Sequence, residues 1–139
     1  MTDALARLPH GPEFRFVDRL LALEPGTSGA AEFTLRGDEA FLRGHFPGEP
    51  LMPGVLLVEA VAQLAGIIAQ TDPAIAPLTG LKLTAIRAAK ILGTAKPGET
   101  VTLHARVTGR MGNLVQAQGT ATVRGTLVLQ CDVTLAGTA

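Results

Sequence analysis

The sequence predicts an α+β domain in which one antiparallel sheet of about six strands wraps around a single long helix. Three observations carry that prediction. Residues 54–70 form an apolar run with almost no polar face, the mark of a helix buried on all sides rather than lying on a surface. Segments before and after it alternate apolar and polar residues, the period of a half-buried strand. Gly and Pro pairs separate those segments, as turns require. One helix covered by one sheet is a two-layer way to bury a core.

Composition sets the bounds. A length of 139 residues suits one domain, 1–139, with one sizeable core. Formal net charge is zero and charged residues make up 17%, so nothing points to nucleic acid or a polyanionic surface. An apolar share of 47% argues against disorder. There is no Trp or Tyr, so the core is aliphatic and rich in Ala. The single cysteine, Cys131, rules out an intrachain disulfide and fits a reducing cytoplasm, the expected location. The N-terminus, Met1-Thr2-Asp3-Ala4-Leu5, lacks the basic and apolar regions of a secretory signal.

In chain order, residues 1–16 read as a short helical or irregular lead-in broken by Pro9 and Pro12. Arg19 to Glu24 is a strand, closed by Pro25-Gly26. Ala31, Phe33 and Leu35 alternate with Glu32, Thr34 and Arg36 as a second strand. Residues 37–42 form a short turn of helix that Asp38 would cap. Pro53 is tolerated at or before a first helical turn, and Gly54 to Gln70 is the long helix, roughly 25 Å at about 1.5 Å per residue. Thr71-Asp72-Pro73 and Pro77 form a loop. Gly80 to Leu92 is a long strand, weakened by Ala85, Ala88 and Ala89, and Lys96-Pro97-Gly98-Glu99 is a turn. Val101, Leu103, Ala105 and Val107 alternate along the next strand, and Gly109 to Asn113 turns the chain. Val115, Ala117, Ala121 and Val123 line one face of the fifth strand. Arg124-Gly125 is a tight hairpin signal, and Leu127, Leu129, Cys131, Val133 and Leu135 complete the last strand.

The long helix approaches membrane-spanning length. Pro53 and Gly54 at its start, Glu59 in its interior and the lack of basic flanks favour a helix wrapped by protein, with no membrane span. Its polar exceptions are informative. Glu59 and Gln63, spaced i, i+4, share a face and can hydrogen-bond. A carboxyl on a buried helix is costly unless paired or protonated, and burial favours its neutral form. Such a group near a histidine is material for acid–base chemistry. Residue types alone leave a second reading open, in which Glu59 pins the helix and His45 caps the preceding loop.

The stretch Gly44-His45-Phe46-Pro47-Gly48, followed by Pro53-Gly54-Val55 and by Glu59-Ala60-Val61-Ala62-Gln63, resembles the signature of the FabZ-type (3R)-hydroxyacyl-ACP dehydratases. Leu8-Pro9-His10 with Phe16-Val17-Asp18-Arg19 resembles that family's N-terminal signature, and Lys90 through Lys96-Pro97-Gly98-Glu99 gives a looser third match. The resemblance implies a hotdog fold, with two sheets pairing side by side into a homodimer and often three dimers in a hexamer. It implies removal of water from (3R)-hydroxyacyl-ACP to give trans-2-enoyl-ACP in fatty-acid or related acyl-chain biosynthesis, with no cofactor. By the same resemblance His45 abstracts the C2 proton. Glu59, from the other subunit, helps to protonate the leaving hydroxyl. A glutamate at position 59, rather than an aspartate, favours the simple dehydratase over the dehydratase-isomerase.

The residues fit those roles. Histidine titrates near neutral pH, and a buried carboxyl can stay protonated long enough to act as an acid. The N–H groups of Gly54 and Val55, at the positive end of the helix dipole, are natural donors to a thioester carbonyl. Gln63 would orient Glu59. His10 reads as structural, His104 as solvent-facing and Cys131 as packing. No metal-ligand cluster or phosphate cradle is apparent. The acyl chain is expected to thread an apolar tunnel beside the helix, with basic residues at its mouth to dock the acidic acyl carrier protein. There the chain departs from the family. Between Ile86 and Gly98 the family usually shows an Asp and, further on, Phe-Arg-Lys or similar, whereas Arg87, Ile91, Leu92 and Gly93 stand here. Arg87 and Lys90 are substitute docking charges, or the enzyme serves a specialised carrier protein or a less usual acyl chain. The alternatives are a non-catalytic acyl-binding hotdog subunit, which needs neither His45 nor Glu59, and an acyl thioesterase, which needs no such His-loop and Glu-helix pair.

Overall fold

A computed structural model describes residues 2–43 and 48–139. His45, the expected base, lies outside the described residues. A short helix α1 (Thr2–Leu5) and a 3-10 turn (Pro12–Phe14) lead into β1 (Arg19–Glu24) and β2 (Ser28–Thr34). A second 3-10 turn (Ala40–Arg43) precedes α2 (Gly54–Gln70), and β3 (Thr79–Ile91), β4 (Thr100–Met111), β5 (Leu114–Val123) and β6 (Thr126–Thr138) follow. The six strands form one sheet in the order β1-β2-β4-β5-β6-β3, antiparallel throughout, with α2 packed on β2 to β6. This is the expected α+β architecture.

The helix begins and ends for local reasons. Pro53, at φ −57° and ψ 133°, directs the chain into the first turn, and Leu56 N–H donates to its carbonyl at 2.9 Å. At the other end the Thr71 hydroxyl donates to the carbonyls of Ile67 and Ile68, at 2.8 and 3.1 Å, and Asp72-Pro73 stops propagation. Leu57, Val61, Leu64 and Ile68 are fully buried in the core with Ala31, Leu103, Ala117 and Leu129. Close approach of the helix to the sheet depends on Gly119. A Cβ there would meet the Val61 side chain and stand 2.8 Å from the His104 carbonyl oxygen.

Two expectations need correction. The turn expected over Gly109 to Asn113 is shorter, because β4 runs on to Met111. A register shift between Val107 and Gly109 absorbs the extra residue, and the turn closes on Gly112 at φ 58°. Asp38 does not cap the short helical turn. Its carboxylate accepts from Arg36 Nε at 3.1 Å, while Glu39 accepts from the N–H groups of Arg36 and Gly37, at 3.0 and 2.8 Å. The long strand expected over Gly80 to Leu92 forms as β3, and it shifts register against β6 three times, with Ala88 at φ 51°. Such bulges bend a strand at a sheet edge. The hairpin at Arg124-Gly125 forms as read, with φ of 52° and 78°, the two positive angles of a type I′ turn.

Candidate active site

Glu59 and Gln63 stand one turn apart on α2, and Gln63 Nε2 donates to Glu59 Oε2 at 2.9 Å. The Gln63 side chain is buried, at 2% exposure, and its orientation is fixed. Its Oε1 accepts from Phe16 N–H at 2.8 Å, and its Nε2 also donates to the Phe14 carbonyl at 2.8 Å. With the oxygen taken by a backbone donor, only the nitrogen can face Glu59, so Oε2 of the carboxyl is the acceptor.

Gln63 thus ties the N-terminal segment to the helix. Aromatic packing holds that segment, with the Phe16 ring 5.0, 6.0 and 5.9 Å from the centroids of Phe14, Phe33 and Phe41. Asp18 N–H donates to the Glu32 carbonyl at 2.9 Å, and the Asp18 carboxylate accepts from Thr34 N–H at 2.8 Å. These contacts carry Leu8-Pro9-His10 over the helix.

The outcome is a contact that sequence reasoning missed. His10 Nε2 lies 3.3 Å from Glu59 Oε2, with the two side chains 28% and 18% exposed. The His10 ring stacks on Phe14, with 6.1 Å between centroids, and its carbonyl accepts from Arg15 Nη2 at 3.1 Å. The signal was present in the N-terminal match. Periodicity carries no information about which loop residue meets a helix so distant in sequence.

His10 and Glu59 open onto a cavity of about 480 Å³ beside α2, lined by Ala62, Gly66, Leu81 and Leu135 among others. Gln70 and Leu78 also line it, and the Gln70 amide donates to the Leu78 carbonyl at 2.6 Å and accepts from Leu78 N–H at 2.9 Å. From Glu59 to Gln70 the helix rises roughly 16 Å at about 1.5 Å per residue. Arg7 and Lys82 supply positive charge to the lining. A larger groove, about 940 Å³, lies on the outer sheet face and includes His104, Arg106, Gln118 and Asp132. It holds no part of the Glu59 network, and His104 is solvent-facing as read.

At the start of α2, Gly54 is covered by Ile91, whose Cδ1 would stand 2.7 Å from a Cβ at that position. Val55 is exposed at 67%. Arg87 and Lys90 are exposed on β3, in register with Asp132 and Gln130 of β6, and they are not among the residues lining the Glu59 cavity. The structure therefore brings together Glu59, Gln63 and His10, with Gly54 and Val55 at the head of the same helix. Among the described residues no group of three or more His, Cys, Asp or Glu could hold a metal ion, and no helix is long and apolar enough to cross a membrane. Cys131 is buried, and burial, with a lesser push from Asp132, raises its thiol to about 11.

Residues 8–132 match the model of the FabA-like domain. A 3-hydroxyacyl-[acyl-carrier-protein] dehydratase FabZ of Anaeromyxobacter sp. is 39% identical over 134 residues, covering 94% of this chain and 85% of that protein. The FabZ dehydratase of Chloroflexus aggregans is 33% identical over 136 residues, covering 98% and 94%. Among solved structures, the dehydratase heterocomplex ApeI:P from Xenorhabdus doucetiae superposes with a TM-score of 0.81 at 14% identity, covering 98% of this chain and 91% of that one. Zebra fish thioesterase superfamily member 2 gives 0.70 at 19%, covering 96% and 90%. The two structures share the hotdog fold with this chain, and a fold common to both cannot choose between their chemistries.

Proposed function

The chain belongs to the FabA-like family and acts as a 3-hydroxyacyl-[acyl-carrier-protein] dehydratase in fatty-acid biosynthesis, and we propose that His45 and Glu59 divide its proton transfers across a homodimer. His45 of one subunit removes the C2 proton, and the Glu59 carboxyl of the other gives a proton to the departing C3 hydroxyl. The C–O bond breaks, the C2–C3 double bond forms, and water leaves. His45 ends protonated and Glu59 ionised, so one proton returns to Glu59 before the next turnover. The Gly54 and Val55 N–H groups stabilise charge on the thioester oxygen. The acyl chain lies along the Glu59 cavity toward Gln70.

The observation that carries this reading is the orientation of Gln63, which presents an N–H to Glu59 at 2.9 Å. A carboxyl held by a buried, fully committed amide beside a cavity is pre-organised for proton transfer. The dimer rests on β3. It is an edge strand of 13 residues, with Ile86 and Ile91 exposed at 48% and 53% and Leu92, just past its end, at 59%, and an apolar edge of that length calls for a partner. A second copy covers it, as a dimer or a trimer of dimers. Arg87 and Lys90, exposed side chains of that strand, meet the acidic carrier protein, and the single cysteine accords with the cytoplasm.

Incubation with 3-hydroxybutyryl-ACP tests the reading by its product. A conjugated enoyl thioester supports it. Release of free thiol would point to a thioesterase, and tight binding without turnover to a non-catalytic subunit. Mixing refolded His45→Ala and Glu59→Ala subunits tests the sharing. Heterodimers with one intact site should recover about a quarter of wild-type activity at statistical assortment. No recovery from a confirmed heterodimer would place both residues in one subunit's site.

A further inference from the structure

Two nitrogen atoms approach Glu59 Oε2, Gln63 Nε2 at 2.9 Å and His10 Nε2 at 3.3 Å. The first has an evident structural reason, since Gln63 is also committed to Phe14 and Phe16. The second does not. His10 Nδ1 is buried and finds no hydrogen-bond partner among the described residues, so the ring is not placed to satisfy its own polar atoms. Buried polar groups are normally paired, and an exception calls for a reason. Packing alone would be served by an apolar side chain on Phe14. What the imidazole adds is a ring nitrogen 3.3 Å from the carboxyl oxygen.

We propose that His10 is a positioning residue for the dehydration, holding Glu59 by Oε2 so that the other carboxyl oxygen is the one that hands its proton to the leaving hydroxyl. The inference rests on the reading of Glu59 as the acid. Gln63 takes one lone pair of Oε2, and His10 in its Nε2–H form is placed to take the second, the tautomer that leaves the buried, partnerless Nδ1 an acceptor rather than a stranded donor. With both lone pairs of Oε2 engaged, the transferable proton resides on Oε1. The 3.3 Å separation is long for a hydrogen bond, as such contacts often are before substrate closes the site. The remaining charged side chains lining the cavity are Arg7 and Lys82. Arg15 holds His10 from behind through its carbonyl at 3.1 Å.

The test is the rate of crotonyl-ACP hydration by wild type, His10→Ala, His10→Gln, Glu59→Gln and the His10→Ala/Glu59→Gln double variant, each checked for an intact thermal transition. Glutamine keeps an N–H at the reach of Nε2. The expected result is a fall in kcat of about tenfold for His10→Ala with KM within about twofold, because the contact serves the transition state more than binding. His10→Gln should recover most of the loss. In the Glu59→Gln background the histidine deletion should cost almost nothing, since groups acting through one another are non-additive. A wild-type rate in His10→Ala, an equal loss in Ala and Gln, or an undiminished loss in the double variant would overturn the proposal while leaving the dehydratase reading intact. Silence of the wild type would overturn both.

Discussion

Replacing Gln63 with Leu keeps the side-chain volume near that of the original and removes three hydrogen bonds at once. Their weights differ. Phe16 N–H loses its acceptor in a residue only 4% exposed, which costs about 1–3 kcal/mol for an unpaired buried donor. The Phe14 carbonyl belongs to a residue 46% exposed, and Glu59 is only partly buried, so water replaces much of what they lose. A net loss of about 2–3 kcal/mol follows. At about 3–5 °C per kcal/mol for a domain of this size, the thermal midpoint should fall by about 6–15 °C. Scanning calorimetry at one fixed protein concentration reads this directly, because the proposed dimer would make the midpoint concentration-dependent. Gln63→Glu is the companion variant. It can still accept from Phe16 N–H but sets a second carboxylate against Glu59, so activity should fall further than stability. A Gln63→Leu midpoint within about 2 °C of wild type would refute the claim that this amide ties the N-terminal segment to the helix.

Two further perturbations probe the core. Gly119→Val would drive a side chain into Val61 and the His104 carbonyl, and overpacking of this kind costs about 1–3 kcal/mol or more; a urea midpoint unchanged by the substitution would contradict the close helix–sheet contact. Cys131 should resist thiol reagents at pH 7.4 until the protein is unfolded, since its thiol is raised to about 11 and the thiolate is the reactive form. The linkage has a definite sign. A raised folded value contributes stability that is fully present below the ordinary thiol value of 9.0 and is lost as pH rises toward about 11. Cys131→Ala should therefore lose stability less steeply than wild type over that window, read as urea midpoints against pH.

The helix was legible in full. Its bounds, Gly54 to Gln70, follow from Pro53 and from an apolar run ending at Thr71-Asp72-Pro73, and burial on nearly every face removes any ambiguity of period. The strands β5 and β6 were legible because one face meets the helix and the other meets water, and β1 because Pro25-Gly26 closes it. The ends of β4 were not, since a bulge after Val107 moves the turn without altering the alternation pattern before it. The Gln63–Glu59 pair follows from i, i+4 spacing alone. His10 was named by its motif yet assigned no chemistry, because its approach to Glu59 depends on the aromatic packing of Phe14 and Phe16, which is a property of the folded chain.

The account stands most directly on reversible hydration of crotonyl-ACP, followed by loss of enoyl absorbance, with wild type beside His45→Ala and Glu59→Ala. It predicts an active wild type and a fall of at least about a hundredfold in each variant, the usual contribution of general acid–base catalysis. A folded wild-type protein that leaves short and long enoyl chains untouched, or variants that retain its rate, would contradict it.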